Sequence, residues 1–511
     1  MKIIIIICLL LAATMTFSQT PLKPFPQHAE YTSGIIKPNK YTQSQLDDSV
    51  RSFYDQWKTV YLRNDCGAGQ YYVWFDETSS NNSICVSEGQ GYGMLITAYM
   101  AGYDDTAKTY FDGLYNYYKA HPSVKNPYLM AWNQITGCVD DPAGGNYSAS
   151  DGDLDIAYAL LLADKQWGSG AKINYLSEAL NIINAIKKDD INKNIWTVKL
   201  GDWVNIDSAD YDDTRPSDFM PDHFRTFQSA ANDNDWTKVS DKCYSLIEII
   251  QTNFSTATGL LPDFIQNCNT APAPARPNYL ESAHDGEFYY NACRTPWRIA
   301  MDYLISGNIK AKRAIDKINN WIKIKTDNNP TQIGAGYYLN GSDISGNNYS
   351  AAAFIGPLAV AAMVNSSDQT WLNNIYNHLL SLQLPANSYY NNTLKLLTLL
   401  VISGNWWSPL TITSIDNKFL LISEISVHPN PFSKFSVISY LLTVGGNVKI
   451  DIYNTLGEKI TTLVDEWQEA GKHSAVFDVG TRHAVSLPSG IYYYTIRIGD
   501  RIESGKLILI K

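Results

Sequence analysis

The chain has 511 residues, 40 of them Lys or Arg and 50 Asp or Glu, for a formal net charge of −10 with 45% hydrophobic residues. That length supports a large core and more than one domain, because single cores stop growing at roughly 250 to 300 residues. The acidic balance, with no clustered basic face, excludes a nucleic-acid backbone as partner, and beyond the N-terminal segment no run approaches the ~20 apolar residues of a membrane span.

The first residues, "MKIIIIICLLLAATMTFSQT", place one lysine before an apolar run and then small and polar residues, the order of a secretory signal peptide, with cleavage expected after Ser18. The mature protein is therefore expected to be exported and soluble. From about 43 to 403 the apolar residues recur with helical period, interrupted by polar or Gly/Pro-rich breaks. Candidate helices lie at 42–63, 89–103, 105–120, 151–165, 172–188, 217–231, 233–253, 292–306, 308–326, 350–364, 368–384 and 391–403. Twelve helices in alternating pairs suggest six hairpins closed into a ring, with the long segments 121–150, 189–216, 254–290 and 327–349 at its rim. From about 418 the period switches to two, in runs such as "VKIDIYN" and "GIYYYTIRI" separated by turn signals, which predicts a small β-sandwich over 418–511. The expected division is a signal peptide at 1–18, a helical domain at 19–410 and this sandwich.

Loss of the signal leaves Cys66, Cys85, Cys138, Cys243, Cys268 and Cys293. Six cysteines in an exported chain permit fifteen pairings. Cys66 and Cys85 bracket a short aromatic segment and are the pair expected first. No CxxC or CxxH spacing suggests a structural zinc site. Aromatic residues form 12% of the chain, and most must pack a core, although such richness also suits a groove in which sugars stack.

Three stretches could carry chemistry. In "VSEGQGYGM", Glu88 stands where a loop becomes a helix and Gly89, Gly91 and Gly93 follow; interior helical glycines each cost about 1 kcal/mol, so they need a reason, and close approach of a ligand is one. The alternative is that Glu88 only complements the helix dipole. In "SASDGDLDIAYALLLADKQWG", Asp151, Asp153 and Asp155 open a strongly apolar helix, either as dipole complement or aimed at the same rim as Glu88. The third, "YLESAHDGEFYYNACRTPWR", puts Glu281, Asp285 and Glu287 in a loop and Tyr290, Asn291 and Arg294 at the entrance of a helix whose first turn holds Pro296. Arg294 could equally be half of a structural ion pair. The acid-rich "DSADYDDTRPSDF" lacks a helical register and reads as rim loop.

Taken together and in order, "SEGQGYGM", "LMAWNQ", "SDGDLDIAYALLLADKQWG", "TRPSDFMPDHFRTF" and "YYNACRTPWRIAMDY" resemble glycoside hydrolase family 8 over roughly residues 20–410. The resemblance implies an all-α (α/α)6 barrel and inverting endo-hydrolysis of β-1,4-linked glycans. Inversion needs a general acid and a general base on opposite faces of the sugar. Glu88 matches the family's acid, Asp151 its central sugar-binding aspartate and Trp132 a sugar-stacking tryptophan. In the commonest cellulase branch an aspartate base follows the tyrosine before the helix; here that place is Asn291. The sequence is similar instead to a chitosanase and β-glucanase branch that takes its base from a glutamate in the preceding loop, which matches Glu281. Glu287 is the reserve, Asp285 a turn residue and His284 a polar loop residue; Tyr290, Asn291 and Arg294 are expected to bind substrate.

Residues "VHPNPF", "VKIDIYNTLGEKITTLVD", "LPSGIYYYTI" and "KLILIK" resemble the type A sorting domain of the Bacteroidetes type IX secretion system, an immunoglobulin-like sandwich; a carbohydrate-binding sandwich is the competing reading. The expectation is a secreted or surface-held monomeric endo-β-1,4-glycanase acting on β-glucan (cellulose or mixed-linkage) ahead of chitosan and then xylan, needing no metal or cofactor. A catalytically silent glycan-binding protein that lost its base with Asn291 is the alternative. A terpenoid cyclase is remoter, because it needs an aspartate-rich metal motif on a helix.

Overall fold

The computed structural model describes residues 20–76, 82–383, 385–410, 422–442, 446–469, 471–479, 487–498 and 501–511. The expected signal peptide and its cleavage point lie outside the described residues. The chain divides into two compact units, one of Met1–Ser306 and Lys310–Leu410, the other essentially Thr411–Lys511.

The first unit carries twelve α-helices among its described residues: α1 (Gln43–Tyr61), α2 (Ser87–Met100), α3 (Ala107–Ala120), α4 (Ser150–Trp167), α5 (Tyr175–Asp189), α6 (Pro221–Ala231), α7 (Asp235–Asn253), α8 (Thr295–Ser306), α9 (Ile309–Lys325), α10 (Ala352–Ala362), α11 (Gln369–Ser381) and α12 (Tyr389–Ile402). Local chemistry sets several of their ends. Thr42 and Gln45 form a reciprocal capping box ahead of α1. Pro221 opens α6, where a missing N–H costs nothing, and Asn232 ends it in the left-handed conformation (φ 49°).

Burial sorts the helices into two sets. Helix α1 buries the stripe Leu46, Val50, Tyr54, Trp57 and Tyr61, and α3, α5, α7, α9 and α11 likewise bury one face. Helices α2, α4, α10 and α12 are buried on nearly every side. Neighbour relations follow the same division: α2 packs on α4, α4 on α6, α6 on α8, α8 on α10, α10 on α12, and α12 returns to α2. Helices α1, α3, α5, α7 and α11 pack on α12, α2, α4, α6 and α10 respectively.

Gly89, Gly91 and Gly93 turn out to serve this packing. A Cβ on Gly91 would lie 2.8 Å from the Asp155 Cβ and 3.1 Å from the Gly152 carbonyl on α4; one on Gly89 would meet the Tyr389 hydroxyl at 2.8 Å, and one on Gly93 a Val73 methyl at 2.4 Å. The glycines therefore admit neighbouring elements rather than a ligand, which corrects the expectation drawn from their spacing.

The cysteine expectation also needs correction. Cys66 pairs with Cys138, not Cys85, with Cα atoms 5.5 Å apart. Strand Ser83–Val86 pairs with Asn133–Ile135, which turns Cys85 fully inward, and the following turn brings Cys138 (φ 60°) to Cys66. Cys85, Cys243, Cys268 and Cys293 are buried thiols.

In the second unit, strands Ile422–His428, Phe435–Leu442 and Gly471–Asp478 form one antiparallel sheet with the middle strand central. Lys459–Gln468, Gly446–Tyr453, Gly490–Ile498 and Arg501–Leu509 form a second, in that order. Both contribute to one apolar core that includes Ile438, Tyr440 and Phe477 from the first sheet and Ile450, Tyr494, Ile496 and Leu507 from the second. No helix among the described residues is long and apolar enough to cross a membrane.

Candidate active site

Strand Ser83–Val86 runs directly into α2, and the Ser87 N–H donates to the Trp132 carbonyl (2.9 Å), so the first turn of α2 is held beside Trp132, the residue that precedes the strand Asn133–Ile135. Glu88 projects from that turn with its side chain 16% exposed. Its carboxylate accepts from Arg294 Nη1 (2.5 Å) and from the Tyr389 hydroxyl (3.1 Å). Burial raises its pKa to about 7; the Arg294 guanidinium opposes this, and the neighbouring Asp151 carboxylate adds to it. A carboxyl poised there can hold a proton near neutral pH and release it.

Asp151, at the start of α4, behaves in the opposite way. Burial would raise it, but Arg215 (3.2 Å) and Arg294 (2.9 Å) outweigh burial and bring it down to about 2. Two carboxyls beside one arginine thus have their proton affinities driven apart, which is how acid and anion roles are separated within one site. Arg294 itself is 1% exposed and spends its donors on Glu88, Asp151, Ser217 Oγ (2.9 Å) and Asn291 Oδ1 (2.9 Å).

Asn291 closes the network. Its Oδ1 accepts from Arg294, which leaves Nδ2 to donate to Glu281 Oε2 at 2.7 Å. Glu281 has its side chain 48% exposed, and its Oε1 lies 3.9 Å from Arg215 Nη1. Glu88 and Glu281 are therefore joined through one guanidinium and one amide without touching each other.

Residues 24–404 match the glycosyl hydrolases family 8. The chain belongs to that family. It is 48% identical over 400 residues to a beta-glucanase of Niallia circulans, covering 78% of this chain and 95% of the relative. Against an endoglucanase of Bacillus sp. (strain KSM-330) identity is 42%, covering 76% and 82%. The solved apo structure of a beta-1,3-1,4-glucanase from Paenibacillus sp. X4 superposes with a TM-score of 0.72 at 48% identity, over 76% of this chain and all of the other. A cold-adapted family 8 xylanase superposes at 0.61 with 20% identity, over 76% and 98%, a likeness of fold alone. Residues 426–511 match a secretion system C-terminal sorting domain.

In this family 8 glycoside hydrolase the remaining expected residues fall into place unequally. Trp132 lies partly exposed beside the Glu88 turn, its indole N–H bound to the Gly144 carbonyl (3.0 Å). Tyr290 is partly exposed and shares a hydrogen bond with the Tyr349 hydroxyl (2.7 Å). Glu287 stands apart from the network and accepts from the Leu339 N–H (2.7 Å), burial raising its pKa. His284 rests against the rings of Tyr289 and Tyr338.

Sequence reasoning missed Arg215, Ser217 and Tyr389. The segment read as rim loop supplies the first two: Arg215 holds Asp151 and, through Nε, both oxygens of Asp218 at 3.1 Å, with Asp218 fully buried. An arginine three residues before an aspartate, ahead of a proline-started helix, was the available signal. Tyr389 had none, because it lies 301 positions from Glu88 along the chain and meets it only when α12 packs on α2.

Proposed function

We propose that this enzyme cleaves internal β-1,4 bonds of a β-glucan, mixed-linkage glucan or cellulose, with inversion, using Glu88 as general acid and Glu281 as general base. Glu88 gives its proton to the glycosidic oxygen as the bond to the anomeric carbon breaks. Glu281 takes a proton from a water that attacks that carbon from the opposite face. Asp151, held anionic by two arginines, accepts sugar hydroxyls and favours the positive charge that develops on the ring. Trp132 and Tyr290 offer faces for stacking, and Arg294 steadies the Glu88 carboxylate once its proton has gone.

The observation that carries this reading is the 2.7 Å bond from Asn291 to Glu281. The place where an aspartate base would stand is an amide that hands its donor to another carboxylate. That placement supports a working base over a silent glycan binder that lost its base with Asn291. The names of the relatives favour β-glucan over chitosan.

The cycle of contacts through α2, α4, α6, α8, α10 and α12 supports a closed (α/α)6 barrel, and the two sheets around one core support an immunoglobulin-like sandwich. The sorting-domain match supports export through a type IX system after removal of residues 1–18, and release or retention at the surface.

The test is reducing-end release by the mature chain and its Glu281→Gln variant on carboxymethyl cellulose, mixed-linkage β-glucan, xylan and chitosan. Cleavage of a glucan with α-anomer product, and a loss of about 10³-fold or more in Glu281→Gln, is the expected result. Retained activity in the variant removes Glu281 from the role.

A further inference from the structure

Glu281 itself is not held by packing: Leu280 is 47% exposed and the Glu281 side chain 48%. A half-exposed glutamate retains most of its rotamers, whereas a base must meet its water within a few tenths of an ångström. Something other than burial must fix it. Asp285, four residues on, is fully buried. Its Oδ2 accepts from the N–H groups of Leu280 (2.7 Å) and Glu281 (3.0 Å), and its Oδ1 from the Ser282 N–H (2.8 Å) and hydroxyl (3.2 Å). Three successive backbone donors thus converge on one carboxylate at the residue that bears the base.

Asp285 is tied to the same scaffold as Asn291. The Phe264 N–H donates to the Asp285 carbonyl (2.9 Å), and Asp263, the preceding residue, takes the N–H groups of Asn291 (3.1 Å) and Ala292 (2.6 Å) on its Oδ1. Backbone and side chain of Glu281 are therefore held from adjacent residues of one segment.

We propose that Asp285 is a positioning residue for the general base, fixing the Glu281 backbone while Asn291 occupies Oε2 and leaves Oε1 to receive the proton from water. The proposal rests on Glu281 being the base. It assigns to Asp285 a part that its reading as a turn residue leaves out.

The test uses the full mature chain as wild type, Asp285→Asn, Glu281→Ala and the double variant, with mixed-linkage β-glucan, with and without sodium azide. In Glu281→Ala, azide can attack the anomeric carbon in place of water while the glycosidic bond breaks and Glu88 protonates the leaving oxygen, so the step needs no base. With Glu281 present, Asp285→Asn is expected to lower kcat by roughly 10- to 100-fold with KM within about twofold of wild type. In the azide-driven Glu281→Ala background the same substitution should cost less than about twofold, because a residue acting only through Glu281 has nothing left to position. An equal loss in both backgrounds would mean that Asp285 supports the site at large and would overturn the proposal. Wild-type kcat in Asp285→Asn overturns it too while leaving Glu281 as base, whereas undiminished hydrolysis by Glu281→Ala removes the underlying assignment. Should Asp285→Asn fail to fold by circular dichroism, Asp285→Glu takes its place; a kcat loss confined to the Glu281-containing background is again expected, and its absence is refutation.

Discussion

Replacing Tyr389 by Phe removes one hydroxyl, the donor 3.1 Å from Glu88 Oε1, and leaves the ring in its buried place on α12. The hydroxyl can donate only to the ionised oxygen with full strength, so it favours the charged form and holds the Glu88 pKa below what burial alone would set. Hydrogen bonds to charged groups contribute roughly 1.5 to 3 kcal/mol, and one of ordinary length belongs at the lower end. About 1.4 kcal/mol is one pH unit, so the Glu88 pKa should rise from about 7 to roughly 8 in the variant. With Glu88 as the proposed acid, activity is lost as pH rises through that value, so the alkaline limb of kcat/KM should move upward by about one unit. The assay is the pH dependence of kcat/KM on mixed-linkage β-glucan from pH 4 to 10. An unmoved limb, or one displaced downward, would refute the reasoning, because either Glu88 is not the titrating acid or Tyr389 does not stabilise its anion.

Glu88→Gln should lose about 10³-fold or more on polysaccharide yet keep much of its rate on an oligosaccharide with a nitrophenolate leaving group, which departs without a proton; equal losses on both would count against the acid role. The same carboxyl carries a stability signature. Its folded pKa, about 7, lies above the ordinary value of 4.5, so its contribution is fully present below pH 4.5 and lost as pH rises through 7, on the order of 3 kcal/mol. The melting temperature of Glu88→Gln relative to wild type should therefore climb between pH 5 and pH 8, and a flat difference would contradict it. The Cys66–Cys138 bond closes a separation of 72 residues, so reduction or Cys138→Ser should cost up to about 4 kcal/mol in denaturant titrations, while Cys85→Ala should leave the effect of reductant unchanged. At Gly152 an added Cβ would lie 2.6 Å from the Ser87 carbonyl carbon, which is backbone and cannot swing aside. Gly152→Ala is therefore expected to destabilise by roughly 1 to 3 kcal/mol and to displace the Glu88 turn, with kcat falling more than stability alone explains.

The helices were legible because their determinants are local. The stripe from Leu46 to Tyr61, the Thr42 cap, Pro221 and the alternation of the C-terminal strands are properties of neighbouring residues, and each expected helix is found within a few positions. Glu88, Asp151 and Arg294 were visible as chemistry at helix starts, and all three meet in one network. What sequence could not show were relations between distant segments. The glycines of α2 looked like room for a ligand because the chain does not reveal that Gly152 and Tyr389 press against them. Cys85 looked like a partner for Cys66 until strand pairing turned it inward. Arg215 lay unremarked in the segment read as rim loop, and folding sets it against Asp151.

The opposed proton affinities of Glu88 and Asp151 are the clearest case. Two carboxyls of nearly equal intrinsic acidity are separated to about 7 and about 2 only by burial and by the arginines standing beside each. The sequence by itself determined which groups were present and which local elements would carry them, since propensity, capping and periodicity act over a few residues. Only the tertiary structure decided which carboxyl keeps its proton and which stays charged, because desolvation and Coulombic interaction depend on distance in space and not along the chain.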